Sequence, residues 1–220
     1  MTRIIEVMTD ILQANETTAA DNRQLLAKYG VTTINMMSSP GAGKTTLIER
    51  TIEALAGSMR VGVIEGDIET TRDAERLDKY DVPVVQINTR STCHLNATMV
   101  RLALEKIDLS GVDLLIVENV GNLVCPAEFQ IGEDAKVVVL SVTEGDEKPL
   151  KYPAMFRAST AMVINKTDLV PYTNFSLAEA RANAHRVNEE LRIIEVSCAT
   201  GEGIDQWVAW LTSLRRRRKD

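Results

Sequence analysis

Ser38-Ser39-Pro40-Gly41-Ala42-Gly43-Lys44-Thr45-Thr46 is the stretch on which the reading of this chain turns. An apolar run, Thr33–Met37, precedes it, and a segment of helical spacing, Thr45–Leu55, follows. A turn of this composition between a strand and a helix rings an anion with backbone N–H groups at a helix N-terminus, where the dipole favours negative charge. Gly41 and Gly43 let the backbone come close to a phosphate, Lys44 reaches the outer phosphates, and Thr45 offers a hydroxyl to Mg²⁺. The phosphate-binding set is therefore Ser39, Pro40, Gly41, Ala42, Gly43, Lys44, Thr45 and Thr46. The strict pattern puts glycine five positions before Gly43, where this chain has Ser38. The competing reading is a glycine-rich turn before an unrelated helix.

Working outward, short apolar runs recur at Val61–Glu65, Val82–Ile87, Leu114–Glu118, Val137–Val142, Ala161–Asn165 and Ile193–Ser197. Helical stretches alternate with them, at Asp73–Tyr80, His94–Lys106, Leu177–Leu191 and Ile204–Leu214. Runs that are apolar throughout are strands buried on both faces, so the pattern predicts an α/β fold with a mostly parallel sheet and helices on both faces. With the phosphate loop, this is the architecture of a P-loop NTPase, residues 31–220. Residues 1–30 read as an N-terminal helical extension, apolar at Ile4, Val7, Met8, Ile11, Leu12, Leu25 and Leu26 and stopped by Gly30. Ligands of such sheets sit beyond the C-terminal strand ends, where every motif of this chain falls.

Asn165-Lys166-Thr167-Asp168 follows the strand Ala161–Asn165. A carboxylate accepts only, so Asp168 matches the paired N1–H and N2–H₂ donors of guanine, which adenine lacks. A site that leaves such a group unmatched discriminates by ~10⁴. The Lys166 stem lies over the ring plane in this reading, and Asn165 ties the base loop to the phosphate loop. Ser197, Cys198 and Ala199, after the next strand, stand where a second base loop would present backbone N–H. GTP or GDP is the expected nucleotide; a surface turn is the other reading of this motif.

Leu114–Val117 ends in Glu118, followed by Asn119-Val120-Gly121-Asn122. An acid closing a buried strand beside a phosphate loop suits Mg²⁺, and Asp67, ending the second strand, is the other such carboxylate. Thr45, Asp67 and Glu118 are the expected Mg²⁺ residues, and Lys44, Thr45, Asp67 and Glu118 the catalytic set. Asp73 reads better as a helix N-terminal acid. The water-positioning Gln of many signalling GTPases is absent, with Asn122 after Gly121, which predicts slow unassisted hydrolysis.

Cys93-His94 follows a strand, and this reading starts a helix there, whose N-terminus would ready the thiolate. Cys125 follows the Gly121 segment. Two thiolates and an imidazole suit a borderline ion such as Ni²⁺ or Zn²⁺ but do not complete a closed four-ligand site, so a site open for release or shared across a two-fold axis fits. Buried free cysteines acting as small hydrophobes are the alternative. Cys198 and His185 carry no expected metal role.

Composition bounds the rest. The chain has 220 residues, 45% hydrophobic and 25% charged, with net charge −6. The acidic balance argues against a general nucleic-acid binder, and the one basic run, Arg215–Lys219, reads as a solvated helix end. No apolar stretch reaches the ~20 residues of a membrane span. With three cysteines and no secretory plan at the N-terminus, the expectation is cytoplasmic, with free thiols and no membrane partner.

The phosphate-loop stretch, Glu65-Gly66-Asp67, Thr92-Cys93-His94-Leu95, Glu118 through Pro126, Thr143 through Pro153 and Asn165-Lys166-Thr167-Asp168-Leu169 together resemble the HypB family of hydrogenase maturation GTPases over nearly the whole chain. The resemblance implies a GTP-dependent nickel-handling protein that helps insert nickel into the [NiFe]-hydrogenase large subunit, with other maturation factors as partners and a GTP-favoured homodimer. It implies Cys93, His94 and Cys125 as the nickel (or zinc) ligands. Some members of the family add an N-terminal cysteine motif or a His-rich tract for extra nickel, and this sequence shows neither. The urease-type metallochaperone GTPases, which use Cys-Pro-His, are the nearer rival. A module in which GTP controls metal binding without turnover is another, and a small-molecule kinase conflicts with Asp168.

Overall fold

The computed structural model of the chain describes residues 7–68, 76–90 and 92–215. Ile4, Asp73, the side chains of Val7 and Met8, and the basic run beyond Arg215 lie outside the described residues.

Seven strands form one sheet: β1 (Thr32–Ser38), β2 (Val61–Asp67), β3 (Val84–Asn88), β4 (Leu114–Glu118), β5 (Ala135–Ser141), β6 (Ala161–Asn165) and β7 (Arg192–Glu195). All pairings are parallel, in the order β3-β2-β4-β1-β5-β6-β7. The inner strands are buried residue by residue, which is why their sequences run apolar without alternation. Alternate side chains go to opposite faces. Ile34, Met36, Val63, Ile116 and Val137 pack with Leu47, Ile48 and Ile52 of α2 (Lys44–Leu55) and with Trp207 and Leu211 of a C-terminal helix, Ile204–Ser213. Ile64, Leu115 and Val117 pack on the other face with Val100 and Leu104 of α3 (Ala97–Leu104) and Leu26 of α1 (Val7–Tyr29). Farther along that layer, Val138, Leu140 and Ile164 meet Met155 and Phe156, from a short helix over Pro153–Ala158, and Ala180, from a helix over Leu177–Val187.

β1 lies between β4 and β5, while its own crossover leads to β2 beyond β4. That reversal opens a crevice at the C-terminal ends of β1, β2 and β4, where the phosphate loop, Asp67 and Glu118 emerge.

Several boundaries differ from expectation, each for a local reason. β3 begins at Val84, because Pro83 has no N–H for the ladder; its carbonyl instead accepts from Val63 N at 2.9 Å. The helix expected from His94 starts at Ala97, capped by Asn96, whose Oδ1 accepts from Met99 N at 2.9 Å. Cys93 therefore lies in the loop ahead of the cap, not at a helix N-terminus, and the readying of its thiolate by that dipole is withdrawn. Of the expected Asp73–Tyr80 helix, Arg76 and Leu77 are helical and a 3₁₀ turn, Asp78–Tyr80, closes it, while 73–75 lie outside the described residues. The helix from Leu177 stops at Val187, where Asn188 turns to donate to the carbonyls of Phe156 and Ser159. In α1 the expected helix is present and Leu25 and Leu26 pack inward as their spacing predicts, but Ile11 is half exposed and the rest of the buried face is Asn15, Ala19 and Asn22.

Candidate nucleotide and metal site

The phosphate loop leaves β1 at Ser38 and enters α2 at Lys44. Gly43 caps that helix with φ +95°, and a Cβ there would fall 2.5 Å from Asn165 Nδ2. Glycine is thus required both for the left-handed conformation and for the close approach of the base loop. Lys44 folds back so that Nζ donates to Ser38 Oγ at 3.0 Å and stands 3.7 Å from Glu118 Oε1. The departure from the strict motif, serine at 38, thereby gives the lysine an internal partner. The cleft in front, about 490 Å³, is lined by the loop, by Glu65, Gly66 and Asp67 of β2, and by Glu118, Asn119, Val120 and Gly121.

A second hollow of about 370 Å³ adjoins it and shares Gly43, Thr46 and Lys166 with it. Asn165, Asp168, Cys198 and Ala199 also line this hollow. Asn165 spans the two loops, donating to Ala42 O at 3.0 Å and accepting from Lys166 N at 2.7 Å. Lys166 takes a positive φ of 65° and donates to Gly41 O at 2.7 Å. Asp168 is oriented by Ser197 Oγ, 2.6 Å away. Cys198 is buried, and burial pushes its thiol up to about 11, so it is a packing residue of the base loop and no thiolate.

The carboxylates fit a divalent ion of hard character. Thr45 Oγ1 donates to Glu118 Oε1 at 3.1 Å, which sets a hydroxyl and a carboxylate oxygen side by side at the cleft where Asp67 also emerges. Oxygen donors of this kind, with room for phosphate oxygens and water, are what Mg²⁺ takes.

Beyond Glu118 the chain runs directly from this cleft to the thiols. A Cβ on Gly121 would lie 3.0 Å from Pro40, so the segment rests against the phosphate loop. Asn119, fully buried, donates to Asn35 Oδ1 at 3.0 Å, and its own Oδ1 accepts from Leu95 N at 2.9 Å and Val120 N at 3.0 Å. Asn122 Nδ2 donates to Cys93 O at 3.3 Å. The residue after Gly121 therefore faces the thiol loop, not the phosphates.

Cys93 Sγ is 3.2 Å from Cys125 Sγ and 3.9 Å from His94 Nδ1, and the three ligand atoms lie within 4.8 Å of one another. Cys93 is exposed and the other two half-buried, so the expected cluster does converge, at the surface. Cys125 opens a one-turn helix, Cys125–Glu128, whose end is held by the buried Lys136 donating to Ala127 O at 2.8 Å. The His94 ring packs on Phe129, centroids 4.1 Å apart. Burial pushes the His94 imidazole below its usual value, keeping it neutral and able to ligate. The Cys125 thiol is pushed up, first by its hydrogen bond with Cys93 and then by burial. Cys125 thus keeps its proton until a cation takes its place, so metal entry must release it.

Some functional candidates escaped the sequence reading. Arg76 lines the phosphate cleft and donates to Thr46 Oγ1 at 3.0 Å and Glu49 Oε2 at 2.5 Å. Arg50 Nε donates to Cys198 O at 2.8 Å and braces the base loop. Asn119, between Glu118 and Gly121, is a third such residue. Its signal is that a short amide closes a buried strand, where an apolar residue is the default.

A phosphate-cradling loop at a strand–helix junction, with base-facing loops beside it on a parallel sheet, defines a P-loop nucleotide-binding protein. The model of the CobW/HypB/UreG nucleotide-binding domain matches residues 32–195, and the chain belongs to that family. The hydrogenase maturation factor HypB of Azotobacter vinelandii is 48% identical over 98% of this chain and 71% of its own length. The solved structure of hydrogenase maturation factor HypB from Archaeoglobus fulgidus superposes with a TM-score of 0.87 at 38% identity, covering 93% of this chain and all of that one. That of HypB from Helicobacter pylori in complex with nickel gives 0.88 at 35% identity, covering 94% and 99%. Among the described residues no helix is long and apolar enough to cross a membrane.

Proposed function

We propose that this chain is a GTP-hydrolysing nickel metallochaperone serving [NiFe]-hydrogenase maturation, with residues 31–220 as the nucleotide-binding unit. The observation that carries the reading is the run Glu118–Asn122. One end touches the phosphate cleft and the other bonds the loop that bears Cys93. The family membership and the nickel complex named for the Helicobacter pylori relative support the same assignment.

In this reading Ser39–Thr46 cradle the phosphates, Lys44 leaves Ser38 for the outer phosphates, and Asp168 accepts from guanine. Asn165, Lys166, Ser197, Cys198 and Ala199 shape the base site. Thr45, Asp67 and Glu118 would hold Mg²⁺, which when bound offsets charge developing on the transferred phosphoryl group. Asp67 also orients the attacking water. Cys93, His94 and Cys125 take nickel, the cargo, and zinc fits the same donors. The cluster leaves coordination open for a second copy of the chain or for the recipient, in keeping with a GTP-favoured homodimer and with handover to other maturation factors or the hydrogenase large subunit. The strongly exposed Tyr172, just past the base motif, suits such a dimer surface, while Leu169 packs against the core.

The direct test is turnover of GTP and ATP, with Lys44→Ala as the blank. Slow GTP hydrolysis, none with ATP and none in the blank is expected. GTP binding with no turnover above the blank would instead favour the GTP-controlled binding module, to which the turning of Asn122 away from the phosphates already gives some weight.

A further inference from the structure

Helix positions three and four residues apart share a face. In α1, Asn15, Ala19, Asn22 and Leu26 form the buried face. Two of these four are amides, 8% and 0% exposed, where leucine would fold more simply. A buried amide is unfavourable unless it is hydrogen-bonded, so its partners show what it is for.

Both amides join the same two segments. Asn15 Oδ1 accepts from Ala97 N at 2.8 Å, and its Nδ2 donates to Gln130 O at 2.7 Å. Asn22 Nδ2 donates to Ala97 O at 2.8 Å and to Ile131 O at 3.1 Å. Ala97 opens α3 just after Cys93 and His94, and Gln130 and Ile131 follow the turn that begins with Cys125. Phe129, whose ring packs tilted against His94, lies between. The helix sits hard against this junction: at Gly132, with φ +103°, a Cβ would be 2.7 Å from Asn22 Cβ and 3.0 Å from Ala19 O.

We propose that α1 is a working part of the metal site, and that Asn15 and Asn22 are positioning residues that fix the Cys93–His94 loop against the Cys125 turn and so set divalent-metal affinity. The inference rests on the reading of Cys93, His94 and Cys125 as nickel ligands. Groups that orient ligands from outside typically govern affinity by about 10–100-fold, which is the range expected here.

The test uses the full chain and Ni²⁺, followed by thiolate-to-metal charge-transfer absorption. Asn15→Ala and Asn22→Ala should each weaken Ni²⁺ binding by roughly tenfold and alter the band shape, with GTP-analogue affinity unchanged. Asn15→Asp keeps an acceptor for Ala97 N but sets a carboxylate oxygen against Gln130 O, so it should weaken Ni²⁺ binding at least as much as Asn15→Ala. Hydrogen exchange on the wild-type chain covers the case of variants that do not fold: Ni²⁺ should slow exchange at Ala97 and in α1. Folded variants that titrate like the wild type, or no change in wild-type exchange on saturation, would overturn the proposal. A wild-type chain that binds no Ni²⁺ would instead sink the assignment of the site itself.

Discussion

The phosphate and base loops and the thiol cluster all lie beyond the C-terminal ends of the strands but are built on different principles. The nucleotide loops hang directly from β1 and β6, two strands whose residues are all buried. Their conformation is locked by bonds from one loop to the next, as between Asn165 and Ala42. The thiol cluster stands farther from the sheet, several residues beyond the ends of β3 and β4. Its two segments, the loop after β3 that bears Cys93 and the one-turn helix that Cys125 opens, are 32 residues apart in the chain between the sulfurs, and are held by side chains: Asn119 and Asn122 from the run before Cys125, and Lys136, Asn15 and Asn22 from elsewhere. A rigid frame suits a ligand that must be recognised in one geometry. A slung one suits an ion that has to be taken up and given away, because a small displacement of any tie changes the cluster.

The difference can be broken most sharply from the metal side. Cys125→Ser should lower nickel affinity at least 100-fold and leave GTP affinity as it is, by titration of each ligand. Loss of both together would mean the two regions are one site. The same titration should tighten with rising pH: the Cys125 thiol is held above its usual range, so its proton competes with the metal until the pH climbs past that raised value.

Next in size is the base loop. Asp168→Asn replaces an acceptor with an amide that can donate. GTP affinity should drop by about 10²–10⁴, and xanthosine triphosphate, which has a carbonyl in place of the guanine amino group, should recover much of the loss. Nickel binding in the GDP-free chain should not change. A variant that still prefers GTP would show that Asp168 is not the base reader.

The smallest effect is expected where the regions meet. Asn119→Ala removes the acceptor shared by Leu95 N and Val120 N. It should reduce nickel affinity and GTP turnover by less than the changes above, while making the two respond independently. Unchanged dependence of one ligand on the other would relieve Asn119 of any linking role.

The same contrast explains what could be read from the chain. The phosphate loop and the Asn165–Asp168 run are contiguous, so covalent spacing alone sets their geometry, and their roles follow residue by residue. The convergence of Cys93 with Cys125 was accessible only as a shared strand-end location; their meeting depends on β2 lying between β3 and β4. The start of α3 was set too early because an amphipathic pattern does not show where the first turn closes, and Asn96 decides it. Part of the inward face of α1 was hidden because hydrophobicity marks burial only when the buried residues are apolar, and Asn15 and Asn22 are not. The bracing roles of Arg50 and Arg76 depend on long side chains folding across elements, which spacing does not encode.

Linkage between the two regions is the centre of the account, and the most direct measurement is nickel affinity of the same chain loaded with GDP and with a non-hydrolysable GTP analogue. Because coupling is reciprocal, the two affinities should differ by about fivefold or more, and nickel should shift analogue affinity by the same factor. Identical nickel affinities in the two nucleotide states would contradict it.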